Sequence, residues 1–108
     1  MLYNTNEWFN IGNNSLKVIG SKWMRLTCNI NSSGNFLFSG GVCTKDNTVR
    51  AVLYNSSSNF VAVDIPPNTD RLIELHIKVY SIIELYVNFF ILNGNDNFYY
   101  LDNLCLRQ

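Results

Sequence analysis

A chain of 108 residues with 47% hydrophobic content is sized for a single domain around one core. Eight basic and eight acidic residues give a net charge of +0, which leaves no electrostatic footprint for nucleic acid or an anionic membrane, so neither partner is expected. Charged residues make up only 15%, against about 25% in ordinary soluble domains, and neutral polar residues take their place, with Asn at about one position in six. Asn tolerates left-handed backbone and caps turns, which suits a loop-rich β protein.

In chain order, Met1-Leu2-Tyr3-Asn4-Thr5-Asn6 has no basic region leading into an apolar run, so no secretory signal is read there. The stretch 1–14 is expected to be irregular or linker-like, with at most a helical turn around 6–9. A short strand is placed at 16–19. The stretch 21–30 then alternates, with Met24, Leu26, Cys28 and Ile30 on one face and Trp23, Arg25, Thr27 and Asn29 on the other, the period of a half-buried strand. Further strands are expected at 35–38, 48–54 and 59–65. The stretch 72–80 alternates again, with Ile73, Leu75, Ile77 and Val79 inward and Glu74, His76 and Lys78 outward. The stretch 82–92 is apolar on both faces and reads as a central strand, softened outside only by Glu84 and Asn88. A last strand is placed at 98–106. Turn chemistry separates these elements at Asn31-Ser32-Ser33-Gly34, Lys45-Asp46-Asn47, Asn55-Ser56-Ser57-Ser58, Pro66-Pro67-Asn68-Thr69-Asp70 and Asn93-Gly94-Asn95-Asp96. About eight short strands without a helix predict an all-β fold, one antiparallel sandwich or jelly roll spanning 1–108.

The 72–92 stretch has the length of a membrane span, but Glu74, His76, Lys78, Glu84 and Asn88 interrupt it, and charges at mid-bilayer are costly. Three cysteines, Cys28, Cys43 and Cys105, make neither an even framework nor a zinc pattern; they read as buried thiols of a protein folded in a reducing compartment.

Chemistry-bearing residues are few. His76 is the one histidine, and no nucleophile motif surrounds it. Glu74, Asp64, Glu84 and Asp102 are the carboxylates that a glycosidase pair would need, and solvated outer faces are the simpler account of them. Asn93-Gly94-Asn95-Asp96-Asn97 lacks the terminal Glu of a calcium loop and reads as a hairpin turn, so no metal or other cofactor is expected. Asn13, Asn31 and Asn55 begin glycosylation triplets of the kind that a sequence rich in Asn and Ser produces by chance. Aromatic side chains on polar faces carry more information, because sugars stack their flat C–H faces on rings. Trp23 stands beside Arg25 on the face that the alternation turns away from the core. Trp8, Tyr54, Tyr99 and Tyr100 are weaker candidates of the same kind, for which a ring at the core edge is the plainer reading. The set to which a saccharide would bind is Trp23, Arg25, Tyr54, Arg71 and His76, followed by Trp8 and Asp102. The chain reads as a binding domain, not an enzyme.

The succession Asn35-Phe36-Leu37-Phe38-Ser39-Gly40-Gly41-Val42, Val49-Arg50-Ala51-Val52-Leu53-Tyr54, Val63-Asp64-Ile65-Pro66-Pro67-Asn68-Thr69-Asp70 and Phe98-Tyr99-Tyr100-Leu101-Asp102-Asn103-Leu104 resembles the C-terminal head domains of phage tail-fibre and baseplate receptor-binding proteins. The resemblance implies a homotrimeric β-sandwich that adheres to host cell-surface saccharide, folds in the host cytoplasm and works at the tail tip of the virion. No Gly-rich or heptad-repeat shaft precedes it in this sequence. Ser15-Leu16-Lys17-Val18 and the aromatic run Tyr99-Tyr100-Leu101-Asp102-Asn103-Leu104-Cys105-Leu106 are similar instead to galactose-binding-like carbohydrate modules of polysaccharide-acting enzymes, which implies a monomeric, calcium-stabilised, extracellular module. A third possibility is a structural baseplate or capsid decoration domain with no small ligand, in which Trp23 is buried against a partner.

Overall fold

The computed structural model describes residues 16–19, 24–30, 32–80, 84–92 and 98–108, and the backbone of 7–11. Nine strands occur among them: β1 Glu7–Ile11, β2 Leu16–Ile19, β3 Met24–Asn29, β4 Gly34–Thr44, β5 Val49–Ser56, β6 Asn59–Ile65, β7 Asp70–Val79, β8 Glu84–Ile91 and β9 Phe98–Arg107. They form two antiparallel sheets. One has the order β1-β9-β4-β7, with β2 pairing the 98–101 half of β9 and β1 its 104–107 half; the other has the order β3-β8-β5-β6. The all-β sandwich expected from the alternation is the architecture observed. The N-terminal stretch, expected to be irregular with at most a helical turn, contributes β1 instead, because its backbone finds partners on β9.

Both sheets turn one face inward. Phe36, Phe38, Val42, Ile73, Leu75, Ile77, Val79, Leu101, Leu104 and Leu106 come from the first, and Val49, Ala51, Leu53, Ile65, Leu85, Val87 and Phe89 from the second. The Phe38 and Phe89 rings meet across the interior at 5.9 Å. Each such side chain larger than Ala51 stabilises the fold by about 1.5–3 kcal/mol on leaving water, before entropy is counted. No helix among the described residues is long and apolar enough to cross a membrane, and the stretch 72–92 contributes β7 and β8.

Strand β4 is much longer than the 35–38 expected for it. The strand continues through Ser39-Gly40-Gly41, where side chains of β9 lie close over the two glycines. A Cβ on Gly40 would stand 2.7 Å from Leu104 Cδ2, and one on Gly41 would stand 2.0 Å from Asp102 Oδ1. At the same place β9 bulges: Ser39 pairs Cys105 and Gly41 pairs Asp102, so Gly40 alone opposes Asn103 and Leu104. Asn103 absorbs the bulge at φ 50, and Leu101 and Leu104 both reach the core despite their odd spacing. The other non-glycine residue at positive φ among the described residues is Asn68, at 55, in the Pro66–Thr69 turn. Both positions use the left-handed tolerance for which the Asn-rich composition argued. Thr44, buried at the end of β4, holds that turn by donating from its hydroxyl to Pro66 O at 2.6 Å and accepting from Thr69 N at 3.0 Å.

The cysteines differ from expectation. All three are half-buried and none is in a disulfide. Cys28 packs against the core from β3, where burial raises its pKa, while Cys43 and Cys105 share the outward parity of β4 and β9.

Candidate functional site

The outer face of the β3-β8-β5-β6 sheet is set by alternation. Met24, Leu26 and Cys28 turn in from β3, so Arg25 and Thr27 turn out. Leu85, Val87 and Phe89 turn in from β8, so Glu84, Tyr86, Asn88 and Phe90 turn out. Likewise Arg50, Val52 and Tyr54 of β5, and Phe60, Ala62 and Asp64 of β6, face away from the core. Register then stacks these residues into rows across the strands. Thr27, Tyr86, Tyr54 and Phe60 form one row; Arg25, Asn88, Val52 and Ala62 the next; Phe90, Arg50 and Asp64 the third. With strands about 4.8 Å apart and same-face residues about 7 Å apart, the platform measures about 14 Å each way.

Its centre is a hydrogen-bonded set. Arg25 donates from Nε to Asn88 Oδ1 at 3.1 Å and from Nη2 to the Tyr54 hydroxyl at 3.2 Å, and Asn88 Nδ2 donates to the same hydroxyl at 3.1 Å. Asn88 is only 5% exposed although it lies on the outer face, because the Arg25 and Tyr54 side chains close over it. Its amide is satisfied at both ends, as a buried amide must be. The Tyr54 and Tyr86 rings stack at 5.2 Å and 25°, and the Arg25 guanidinium lies 5.8 Å from the Tyr86 ring centroid. The Tyr86 hydroxyl donates to Glu84 Oε2, and that carboxylate pushes the phenol above its ordinary pKa.

Beside this set lies a hollow of about 480 Å³ with Val52 and Ala62 among its lining, walled by Phe60, Phe90 and the Arg50–Asp64 pair. Arg50 grips the Asp64 carboxylate with two donors, Nε to Oδ1 at 2.7 Å and Nη2 to Oδ2 at 3.0 Å, which holds Asp64 below the usual carboxylate range. Phe60 is 59% exposed on the edge strand. Rings, a flat floor and directed polar groups on one open surface are what a polyhydroxylated ligand with apolar C–H faces requires.

Of the residues singled out from the sequence, Arg25 and Tyr54 come together in this set. Trp23 lies outside the described residues, as do the turn at 93–97 and the asparagines Asn13 and Asn31. Trp8 falls in β1 at a register irregularity against β9, and only its backbone is described. His76 and Asp102 are on the outer face of the other sheet, away from Arg25 and Tyr54: His76 faces solvent 3.9 Å from Glu74, and Asp102 folds over Gly41. Arg71 shares the parity of Ile73 but sits exposed at the open end of β7. Tyr99 is fully buried, where desolvation raises its pKa well above the phenol range, and is a core residue. Tyr100 meets Phe98 edge-on at 5.6 Å. Sequence reasoning passed over Asn88, Tyr86, Phe60, Phe90 and Arg50. The available signal was Asn88 itself, a polar residue in the middle of an apolar strand.

No sequence-family model matches the chain, and neither does any curated protein. Similarity appears at the level of structure. A family 61 carbohydrate-binding module, solved with β-1,4-galactotriose, superposes with a TM-score of 0.67 at 8% identity over 87% of this chain and 70% of its own. The fold is shared with carbohydrate-binding modules. A carbohydrate-binding module from Cellvibrio mixtus lichenase 5A, solved with cellotriose, matches with a TM-score of 0.52 at 13% identity over 95% of this chain and 92% of its own. The enzymatically active domain of tailspike protein 4 of bacteriophage CBA120 matches with a TM-score of 0.62 at 11% identity, over 90% of this chain but only 18% of that protein's.

The carboxylates singled out from the sequence divide between the two sheets. Glu74 and Asp102 belong to one sheet and Asp64 and Glu84 to the other. Glu84 and Asp64 share a face, but six residues of strand separate their rows, about 20 Å and well beyond the roughly 9.5 Å limit of glycosidase pairs. Among the described residues no cluster of three or more His, Cys, Asp or Glu could hold a metal ion.

Proposed function

We propose that this chain is a non-catalytic saccharide-binding module whose ligand lies on the outer face of the β3-β8-β5-β6 sheet. The observation that carries the reading is the stacked Tyr54–Tyr86 pair beside the Arg25–Asn88–Tyr54 hydrogen-bond set, polar groups locked in place on a face open to solvent. Holding the donors in position before the ligand arrives lowers the ordering cost of binding. The fold shared with modules solved in complex with galactotriose and cellotriose supports the same reading. Affinity electrophoresis through gels containing soluble polysaccharides tests it: one or more polymers should retard the native chain and not Tyr54→Ala. A chain that no polysaccharide retards, or a Tyr54→Ala variant retarded like the native protein, overturns the reading.

Two settings suit such a module. Attachment to a polysaccharide-acting enzyme has the larger support, from the modules it resembles. A phage receptor-binding head, acting at the virion and trimeric, draws support from the tailspike match. Shallow open sites bind weakly, so a head of this kind needs several copies for adhesion. Light scattering separates the two: a monomer favours the enzyme-attached module, a trimer the phage head.

A further inference from the structure

The hydrogen-bond polarity at the centre of the platform is fixed by a chain of forced choices. Arg25 Nε–H can only donate, so the Asn88 atom facing it at 3.1 Å is the carbonyl Oδ1. Asn88 Nδ2 therefore faces the Tyr54 hydroxyl and donates to it, and Arg25 Nη2 donates to the same oxygen. With two donors on its oxygen, the Tyr54 hydroxyl has only its proton left to offer, and no acceptor for that proton is found among the described residues. The remaining Arg25 N–H groups are also donors. Among the described residues, the centre of the site thus presents donors only, next to a guanidinium whose partners Asn88 and Tyr54 are both neutral. The second platform arginine, Arg50, is by contrast neutralised by Asp64, and Glu84 accepts from Tyr86.

Resting on the saccharide-binding reading, we infer that this site selects an acidic saccharide, one that places a carboxylate or sulfate oxygen between Arg25 and the Tyr54 hydroxyl. A sugar hydroxyl uses only its acceptor side there, whereas an oxyanion accepts from both groups and meets the charge of Arg25. Asn88 is the positioning residue, because its amide sets the polarity of the other two.

Microcalorimetry with polygalacturonate and its carboxyl-reduced neutral form, and with a sulfated galactan and its desulfated form, tests this. The native chain should bind one charged polymer about tenfold or more tighter than its neutral counterpart, and the pair in which this occurs identifies the oxyanion. Asn88→Asp is nearly isosteric; its carboxylate would neutralise Arg25 and accept a hydrogen bond from the Tyr54 hydroxyl, so the charged-over-neutral ratio should fall to about one. Arg25→Gln, on the exposed surface, should remove the same preference should Asn88→Asp fail to fold. Equal binding of charged and neutral polymers by the native chain overturns the inference and leaves saccharide binding standing. A preference that survives both substitutions assigns the selection to other residues and also overturns it. Binding of none of the four, with no retardation by any other polysaccharide, overturns both readings.

Discussion

The two outer faces of the sandwich are built from the same alternation and end up unlike. On β7, at the edge of the first sheet, Glu74, His76 and Lys78 stand out singly, and the closest charged contact there is the exposed 3.9 Å approach of His76 to Glu74. On the second sheet, side chains from β3, β5 and β8 converge on one buried amide and one hydroxyl. The difference lies in the neighbours that each strand receives. β7 is an edge strand with β4 on one side, whereas β8 lies between β3 and β5, so each outward residue of β8 meets side chains from both flanks. An outward residue of a central strand, such as Asn88, can be linked to side chains on both flanks, which an outward residue of β7 cannot.

The largest expected effect removes what both faces share. Phe38→Ala opens the interior opposite Phe89 and should cost about 3–5 kcal/mol, as denaturant titration will register. Next, Tyr54→Phe keeps the ring but leaves Asn88 Nδ2 and Arg25 Nη2 without their acceptor; stability should fall by about 1–2 kcal/mol, a loss that the equally outward His76→Ala should not reproduce. Tyr54→Ala, which loses the stack as well, should weaken saccharide binding by about tenfold.

Acid should act mildly on the site. The Asp64 pKa is lowered by Arg50, so the pair contributes stability above the unfolded carboxylate pKa of about 3.9 and loses it as pH falls through the lower folded value. The pair is exposed, so the acid-side fall in melting temperature that it causes should be small, and Asp64→Asn should remove that part of the pH dependence. The smallest effect is expected on the opposite face, where His76→Ala and Tyr100→Ala should leave saccharide affinity unchanged by calorimetry.

How much of this was legible in the sequence follows from what alternation encodes. Period two in 21–30 and 72–80 placed Arg25 and His76 outward, and turn chemistry bounded nearly every strand. Strand β4 was placed only at 35–38 because Gly40 and Gly41 have no side chains to carry the alternation on, while what lies over them, Leu104 and Asp102, comes from a strand some sixty residues away. The site was half legible for the same reason. Arg25 and Tyr54 could be named as outward polar and aromatic residues, but that they share a hydroxyl at 3.2 Å depends on β8 lying between their strands. Asn88 looked like a softening of an apolar run, and its value as the link between Arg25 and Tyr54 exists only in the assembled sheet. His76 and Arg71 had the right chemistry, but cross-strand order put them on the other sheet.

The central claim, that ligand lies on the β3-β8-β5-β6 face, is tested most directly by titrating the isotopically labelled protein with whichever oligosaccharide binds and following its amide and side-chain resonances. The expected result is that the largest shifts fall on Arg25, Tyr54, Tyr86, Asn88 and Phe60, with the Asn88 side-chain amide among them, and that β7 stays still. Shifts centred instead on His76 and Lys78, or on Tyr100 and Asp102, would contradict the claim and move the site to the opposite sheet.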